Sequence, residues 1–541
     1  MYPVRYLSSG LPCGRHSCHR PMKFKIDNQE IETDEDLTII QAAAKVGIEI
    51  PVLCYKEGHE YFTSCMICVV KDNASGKTMP ACSAKVADGM DIETQAESIR
   101  EFRKSTLELL LSEHVGDCEA PCQRLCAVHS EIPKMLREVG DNRMEDAVLT
   151  VRSDVALASI LERMCHAPCE KGCRRGLHDD PIAIQHMSRH VADWHLREGK
   201  AYPIPCADAT GKKVCVIGGG PTGLASAYYL TLRGNQCVVM DKADKLGGSM
   251  HEEVANGKIP DWALDGEISL LNNMGVEFRI NQGVDSADDF QQLQETYDAV
   301  VIACGASAAE SLEAWNLELA KKGVKADKKT HMTNIQAVFA GGGVANAEMN
   351  LLKVIQNAKS MAACVDQCLR EQPMQGEEDI YNHMMGRLQE GELDLFVKHA
   401  APHAHPEIRA AKEKDITPEQ ADEESGRCLH CDCRANKDCS LREYSHEYGA
   451  KQMQFKVNDR PTFNKMDQST VAVYEPGKCV KCGICVRVTQ DGGEKYGFTF
   501  VGRGFEVTAG VSLEKNLEAG LGDLANEAVV SCPTGALASP D

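Results

Sequence analysis

Twenty-six cysteines are the first chemistry this 541-residue sequence offers. Most stand in groups: Cys54, Cys65, Cys68 and Cys82; Cys118, Cys122 and Cys126; Cys165, Cys169 and Cys173; Cys428, Cys431, Cys433 and Cys439; and Cys479, Cys482 and Cys485, with Cys532 downstream. At about 5 % of the chain they fall below the roughly 8–10 % that marks a short secreted disulfide scaffold. In a reducing compartment, clustered thiols read as metal ligands. Several thiolates around one inorganic core make an iron–sulfur site, and close spacing lets one loop supply most of them at little closure entropy. A four-thiolate zinc site is the rival.

A second chemistry lies at Gly218-Gly219-Gly220-Pro221-Thr222-Gly223, which follows a short apolar strand ending at Val216 and opens an Ala-rich helix. Glycines at Gly218, Gly220 and Gly223 allow a tight turn, close approach of a pyrophosphate and close helix packing, with the helix N-terminus facing the phosphates. A second strand, Gln236 to Met240, ends in Asp241 and Lys242, at the offset where an acidic side chain accepts hydrogen bonds from a ribose hydroxyl. No nucleophile elbow, P-loop or H-E-x-x-H motif is present, so thiolates and one dinucleotide site carry the signal.

The elements that must hold these groups follow from periodicity. Alternating strands over Lys23 to Ile26 and Ile31 to Thr33, then a helix over Leu37 to Val46, precede the first thiol group. A helix through Lys104 to Leu111 leads to His114-x3-Cys118, and another, from about Glu348 to Leu369, closes the dinucleotide region. Eighty acidic against 59 basic residues, a formal charge of −21, disfavour nucleic acid or an anionic membrane as the main partner. No run of about 18 apolar residues occurs, and the first 21 residues lack the apolar centre of a signal peptide, so the expectation is a soluble, cytoplasmic protein without a membrane span. The charged stretch with His399, Pro402, His403, His405 and Pro406 reads as a solvated linker. Cys215, Cys237 and Cys304 on strands, and Cys364 and Cys368 on one helix face, read as packing residues. Cys13 and Cys18, in a poorly patterned leader, and Cys206, in a connector, receive no role.

Strand pair, helix and Cys-rich loop resemble the plant-type 2Fe-2S ferredoxin fold. The spacing Cys54-x10-Cys65-x2-Cys68-x13-Cys82 is similar to the variant in the large iron–sulfur subunit of respiratory complex I, in NAD-linked hydrogenases and in some formate dehydrogenases. The likeness continues to His114-x3-Cys118, where in those proteins a His and three Cys hold a 4Fe-4S cluster, and breaks where Cys122 and Cys126 follow at x3 and x3. From there, Cys126 to Pro133 and Cys165-His166-Ala167-Pro168-Cys169-x3-Cys173 resemble the helical double-cluster domain of the glutamate synthase small subunit and of dihydropyrimidine dehydrogenase. Carried over, that resemblance implies one 4Fe-4S cluster on Cys126, Cys165, Cys169 and Cys173. It leaves His114, Cys118 and Cys122 for a second, whose fourth ligand would fall near Ser188, a poor donor.

The same family resemblance continues through Leu246-Gly247-Gly248, Gly257 to Pro260, Met274 to Phe278, Tyr297 to Gly305 and Ala337 to Gly343, and implies FAD, with Gly341 and Gly342 at its closing turn. Two departures stand out. Only 34 residues separate Gly305 from Ala340, too few for the family's nicotinamide domain, and Gly343 replaces an Asp that bonds the flavin ribityl chain. In the C-terminal run, Thr489 occupies the position of a bacterial ferredoxin's fourth Cys, so Cys479, Cys482 and Cys485 with Cys532 imply one 4Fe-4S cluster, and Gly497 to Phe505 resembles the ferredoxin-like segment of complex I and iron hydrogenase proteins. The four thiols from Cys428 to Cys439 are expected to hold a further cluster or zinc.

The expected architecture is multidomain α/β. It comprises a leader (1–21), a 2Fe-2S ferredoxin-like β-grasp domain (22–100), a helical 4Fe-4S domain (101–205) and a Rossmann-type FAD domain lacking the NAD(P)H subdomain (206–371). A helical linker (372–424), a Cys-rich segment (425–460) and a 4Fe-4S ferredoxin-like domain (461–541) follow. Cofactors would be FAD, one 2Fe-2S and two to four 4Fe-4S clusters. The leading expectation is an electron-transfer subunit of an oxidoreductase, partnered by a complex-I-like diaphorase, a hydrogenase, a formate-dehydrogenase-like subunit or a ferredoxin. The alternatives are a self-sufficient NAD(P)H oxidoreductase and a zinc-stapled scaffold.

Overall fold

The computed structural model describes residues 21–541 apart from 61, 199–202, 307–308, 322, 403–407, 409–413, 456–459, 462, 465, 514 and 541. Cys13, Cys18, His403, His405 and Pro406 lie outside the described residues. Two compact units divide the chain. The first takes the residues up to Val115 together with Lys437–Pro461 and Met466–Pro540; the second takes Gly116–Asn436 and Thr462–Lys465.

The first unit opens on the hairpin β1 (Met22–Ile26) and β2 (Gln29–Thr33), followed by α1 (Ile39–Lys45), β3 (Val69–Asp72), β4 (Lys77–Pro80) and β5 (Asp91–Glu93). The sheet order is β2-β1-β5-β3-β4, with β1 and β5 parallel and the other pairs antiparallel. Thr38 starts α1 by a capping box: its hydroxyl accepts from the Gln41 amide, and Gln41 returns a bond to the Thr38 amide at 3.0 Å. Ile39, Ala42 and Ala43 then cover Phe24, Ile26, Val70 and Ile92 as one core. Helix α2 (Glu97–Glu113) buries Ile99, Arg103, Leu107 and Leu111, a one-face stripe at four-residue spacing, and ends at His114.

In the second unit, short helices come first: α3 (Pro121–Leu125), α4 (Ile132–Gly140), α5 (Met144–Asp154), α6 (Ala158–Met164), α7 (Pro168–Lys171) and α8 (Ile184–Arg197). Met135, Leu136, Val148, Val151, Ile160, Leu161, Met187 and Val191 share their core. Next, β6 (Lys213–Ile217), α9 (Pro221–Leu232), β7 (Gln236–Met240), β8 (Glu277–Arg279) and β9 (Ala299–Ile302) build a parallel sheet completed by β12 (Val338–Ala340), in the order β12-β9-β6-β7-β8. Its central strands are continuous apolar runs, as burial on both faces demands. Between β9 and β12, the described residues hold one six-residue helix and the two-residue strands β10 (Leu319–Ala320) and β11 (Gly323–Val324). The helix Leu351–Leu369 packs on α9.

The chain then returns to the first unit. A helix at Ser440–Glu447 is followed by β13 (Met466–Gln468), β14 (Val473–Tyr474), the antiparallel hairpin β15 (Phe498–Val501) and β16 (Thr508–Val511), and β17 (Leu537–Ala538). Strand β14 pairs with both β13 and β17. Among the described residues no helix is long and apolar enough to cross a membrane.

Candidate metal centres and nucleotide cradle

In the first unit the thiols of Cys54 and Cys65 are hydrogen-bonded to each other, as are those of Cys68 and Cys82. The bond from Cys65 pushes Cys54 down to about 5, and that same bond holds Cys65 well above an ordinary thiol. Cys68 is held up in the same way while Cys82 falls to about 7. Two pairs suit two irons with two thiolates each, the ligand set of a 2Fe-2S core. The loop that carries them is seated by Arg103, a fully buried residue that the sequence reading passed over. Its guanidinium donates to Ile67 O and Val69 O at 3.0 Å each and to the Tyr448 hydroxyl at 2.9 Å. A basic residue in the middle of the apolar stripe of α2 was the available signal.

Cys479, Cys482, Cys485 and Cys532 lie within electrostatic reach of one another. Cys482 also feels Cys54, so both thiol sets of this unit are neighbours. Arg487 serves both. It is buried, stacks its guanidinium 3.8 Å over the Phe62 ring, feels Cys482 and Cys54, and leaves its Nη2 without a hydrogen-bond partner among the described residues. A desolvated donor beside thiolates fits an acceptor of iron–sulfur type. Thr489, in the position of a possible fourth Cys, instead donates to Cys485 O at 3.0 Å and accepts from the Phe498 amide at 2.9 Å.

In the second unit, the expected ligands fall in overlapping neighbourhoods. Cys126, Cys165 and Cys169 are mutual neighbours, and the half-buried Glu162 lies within reach of all three, its carboxyl pushed up to about 8 by desolvation and by Glu170. Cys173 follows α7 in extended backbone and lies within electrostatic reach of Cys122 and of Cys428. His114, the C-cap of α2, belongs to the first unit. The thiol of Cys118 accepts from the His383 amide at 3.4 Å. Ser188, near the position implied for a fourth ligand, donates to Met135 Sδ at 3.6 Å. Farther along, Cys433 N–H donates to Cys118 O at 3.1 Å, and within the first unit the Cys439 thiol lies against Pro533 O.

Among the described residues, no three Cys, His, Asp or Glu converge closely enough to ligate a single ion, and no disulfide joins the described cysteines.

The nucleotide motif forms the expected turn. Gly218 has φ +109° and its missing Cβ would lie 2.6 Å from Ala303 O; a Cβ on Gly223 would lie 1.8 Å from Gly218 O. Gly220 is the N-cap of α9, whose first turn has no side-chain cap, leaving its amides to an anion. Asp241 Oδ2 accepts from the Gly219 amide at 2.6 Å and Oδ1 from the Ala243 amide at 2.8 Å, so this carboxylate shapes the loop; Lys242 and Gly248 are exposed beside it. The Gly341–Gly343 turn is held by Asn357, whose Oδ1 accepts from the Gly342 amide at 2.8 Å. Cys215 and Cys237 are buried on β6 and β7, and Cys364 is buried on its helix, as packing residues are.

Comparison with known families agrees with this layout. Residues 19–97 match the 2Fe-2S iron–sulfur cluster binding domain, 111–200 match dihydropyrimidine dehydrogenase domain II with its 4Fe-4S cluster, and 176–362 match the pyridine nucleotide-disulphide oxidoreductase family. The chain is 34 % identical to the NADP(+)-dependent formate dehydrogenase subunit beta of Moorella thermoacetica over 36 % of this chain and 30 % of that protein. It is 33 % identical to the glutamate synthase [NADPH] small chain of Mycobacterium tuberculosis over 36 % and 40 %. It is 27 % identical to the NAD-dependent dihydropyrimidine dehydrogenase subunit PreT of Escherichia coli over 48 % and 66 %. The matched stretches thus span about a third to two thirds of these relatives.

Proposed function

We propose, from the premise of an oxidoreductase that carries a 2Fe-2S domain, a 4Fe-4S domain and a flavin-nucleotide domain, that this chain is the electron-transfer subunit of a larger assembly. One observation carries the reading: Cys54 and Cys482, members of two different thiol sets, are neighbours with Arg487 serving both. Charge arriving at one set has a second acceptor beside it. A bound flavin supplies the exchange between paired and single electrons. The chain's own part is to bind and tune. The α9 N-terminus and the glycine turns receive a dinucleotide, Arg103 fixes the Cys65–Cys68 loop, and Arg487 offsets the negative charge of both thiolate sets.

The short stretch between β9 and β12 supports a partner as the electron donor, since it is too small for a nicotinamide domain built from repeated βαβ units. The relatives' designations as a beta subunit, a small chain and a subunit support the same reading. Such a partner would be a diaphorase, hydrogenase, formate-dehydrogenase-like subunit or ferredoxin. Anaerobic stopped-flow mixing tests this. Reduced ferredoxin should bleach the visible absorbance, and NADH or NADPH alone should not do so on the timescale of turnover. Rapid bleaching by either nucleotide alone would replace this reading with a self-sufficient NAD(P)H oxidoreductase, the function suggested by the match over 176–362.

A further inference from the structure

The geometry points to an iron–sulfur cubane held by Cys122, Cys173, Cys428 and Cys431, a site assembled from three distant stretches of the second unit. It rests on the electron-carrier reading and deepens it by adding a centre to the path.

Four observations carry it. First, the four thiols form one neighbourhood: Cys122 feels Cys428, Cys173 and Cys431, and Cys428 feels Cys431 and Cys173. Second, the Cys428–Cys431 turn repeats the Cys479–Cys482 turn. In each, the amide two residues after the first Cys donates to its sulfur, His430 N to Cys428 Sγ at 3.4 Å and Lys481 N to Cys479 Sγ at 3.3 Å. In each, that residue is left-handed without being glycine, at φ +44° for His430 and +54° for Lys481. The Cys165 turn does the same, with Ala167 N to Cys165 Sγ at 3.4 Å and φ +45°. Left-handed backbone on a non-glycine residue is costly and persists where surrounding structure requires it, and each of these three turns stands at a grouped thiol.

Third, the segment bearing Cys428 and Cys431 is fastened beside Cys173 by buried charge. Arg137 makes a two-pronged contact with Asp432 at 3.0 and 3.1 Å. Arg427 bonds Glu424, Asp179 and Asp180 O, and Arg175 donates to Arg427 O at 3.2 Å. Fourth, Arg174, the residue after Cys173, pairs with the buried Asp117 at 2.6 Å and lies within electrostatic reach of the Cys431 thiol, so a cation stands beside a ligand sulfur. Cys122 also feels Cys169, which would place this centre beside the Cys126, Cys165 and Cys169 set.

The test counts metal in the full-length protein purified anaerobically. C428S/C431S should lose about four irons and about four sulfides per chain, and C122S the same four, so that the triple variant loses no more than either. Losses that add to about eight, or loss of one zinc in place of iron, overturn the site. Wild-type protein gives an answer that does not depend on how the variants fold. Iodoacetamide should label Cys122, Cys173, Cys428 and Cys431 together, and only after iron is chelated. Labelling of Cys428 and Cys431 in iron-replete protein, with Cys122 and Cys173 still protected, overturns it as well. Both readouts count metal and thiols, so they fail or succeed independently of which donor bleaches the flavin.

Discussion

The Cys479–Cys482 turn of the first unit and the Cys428–Cys431 turn of the second share an amide-to-sulfur bond and a left-handed residue, yet complete their thiol sets differently. The first finds a third thiol three residues on and a fourth at Cys532. The second finds its neighbours at Cys122 and Cys173, hundreds of residues earlier. In one case local backbone does most of the positioning; in the other, buried ion pairs must do it. The turn alone therefore does not reveal which thiols it serves.

The largest expected effect tests that contrast directly. Arg137→Ala leaves Asp432 buried without its guanidinium, and removing one partner of a buried pair costs about 3–5 kcal/mol. Denaturant unfolding should show the second unit weakened by that order and the Cys428–Cys431 thiols gaining reactivity, while the first unit's transition holds. An unchanged midpoint would show that the segment is held by something other than charge.

A smaller effect is expected at the local site. Thr489→Val removes a buried hydroxyl that bonds Cys485 O and the Phe498 amide and should cost about 1–3 kcal/mol, because the amide is left unsatisfied. Iron at Cys479, Cys482, Cys485 and Cys532 should stay in place, since Thr489 is no ligand in this geometry. Iron loss without loss of stability would reverse that assignment.

The smallest is a pH effect at the Cys126 set. Glu162 has its carboxyl raised to about 8, so the fold favours the protonated form. Its contribution is fully present below the carboxyl's unfolded value of about 4.3 and is lost as pH rises through about 8. Thermal unfolding followed from pH 5 to 9 should therefore show Glu162→Gln gaining on the wild type as pH rises. Parallel curves would remove Glu162 from the neighbourhood of these thiols.

What the sequence disclosed was local. Cys54, Cys65 and Cys68, the Cys479 run and the Gly218–Gly223 turn each lie on one loop or one strand–helix junction, where spacing and geometry are the same information. The nearness of Cys173 to Cys122 was not legible, because its spacing from Cys169 says nothing of which distant thiols pack beside it. Its closeness to Cys428 depends on packing between segments about 250 residues apart, and no periodicity records that. Arg103 and Arg487 escaped for a related reason: charged residues in helices read as surface until a neighbour is known to bury them.

The discontinuity of the first unit also orders its birth on the ribosome. Arg103 cannot reach the Tyr448 hydroxyl until Tyr448 has been synthesised, and Gly116–Asn436 must emerge in between. At about 5–20 residues per second that interval lasts roughly 16 to 64 s. The long Gly116–Asn436 stretch of the second unit can begin to mature during it, while the earliest cysteines wait, reduced and exposed, for a closing half made last.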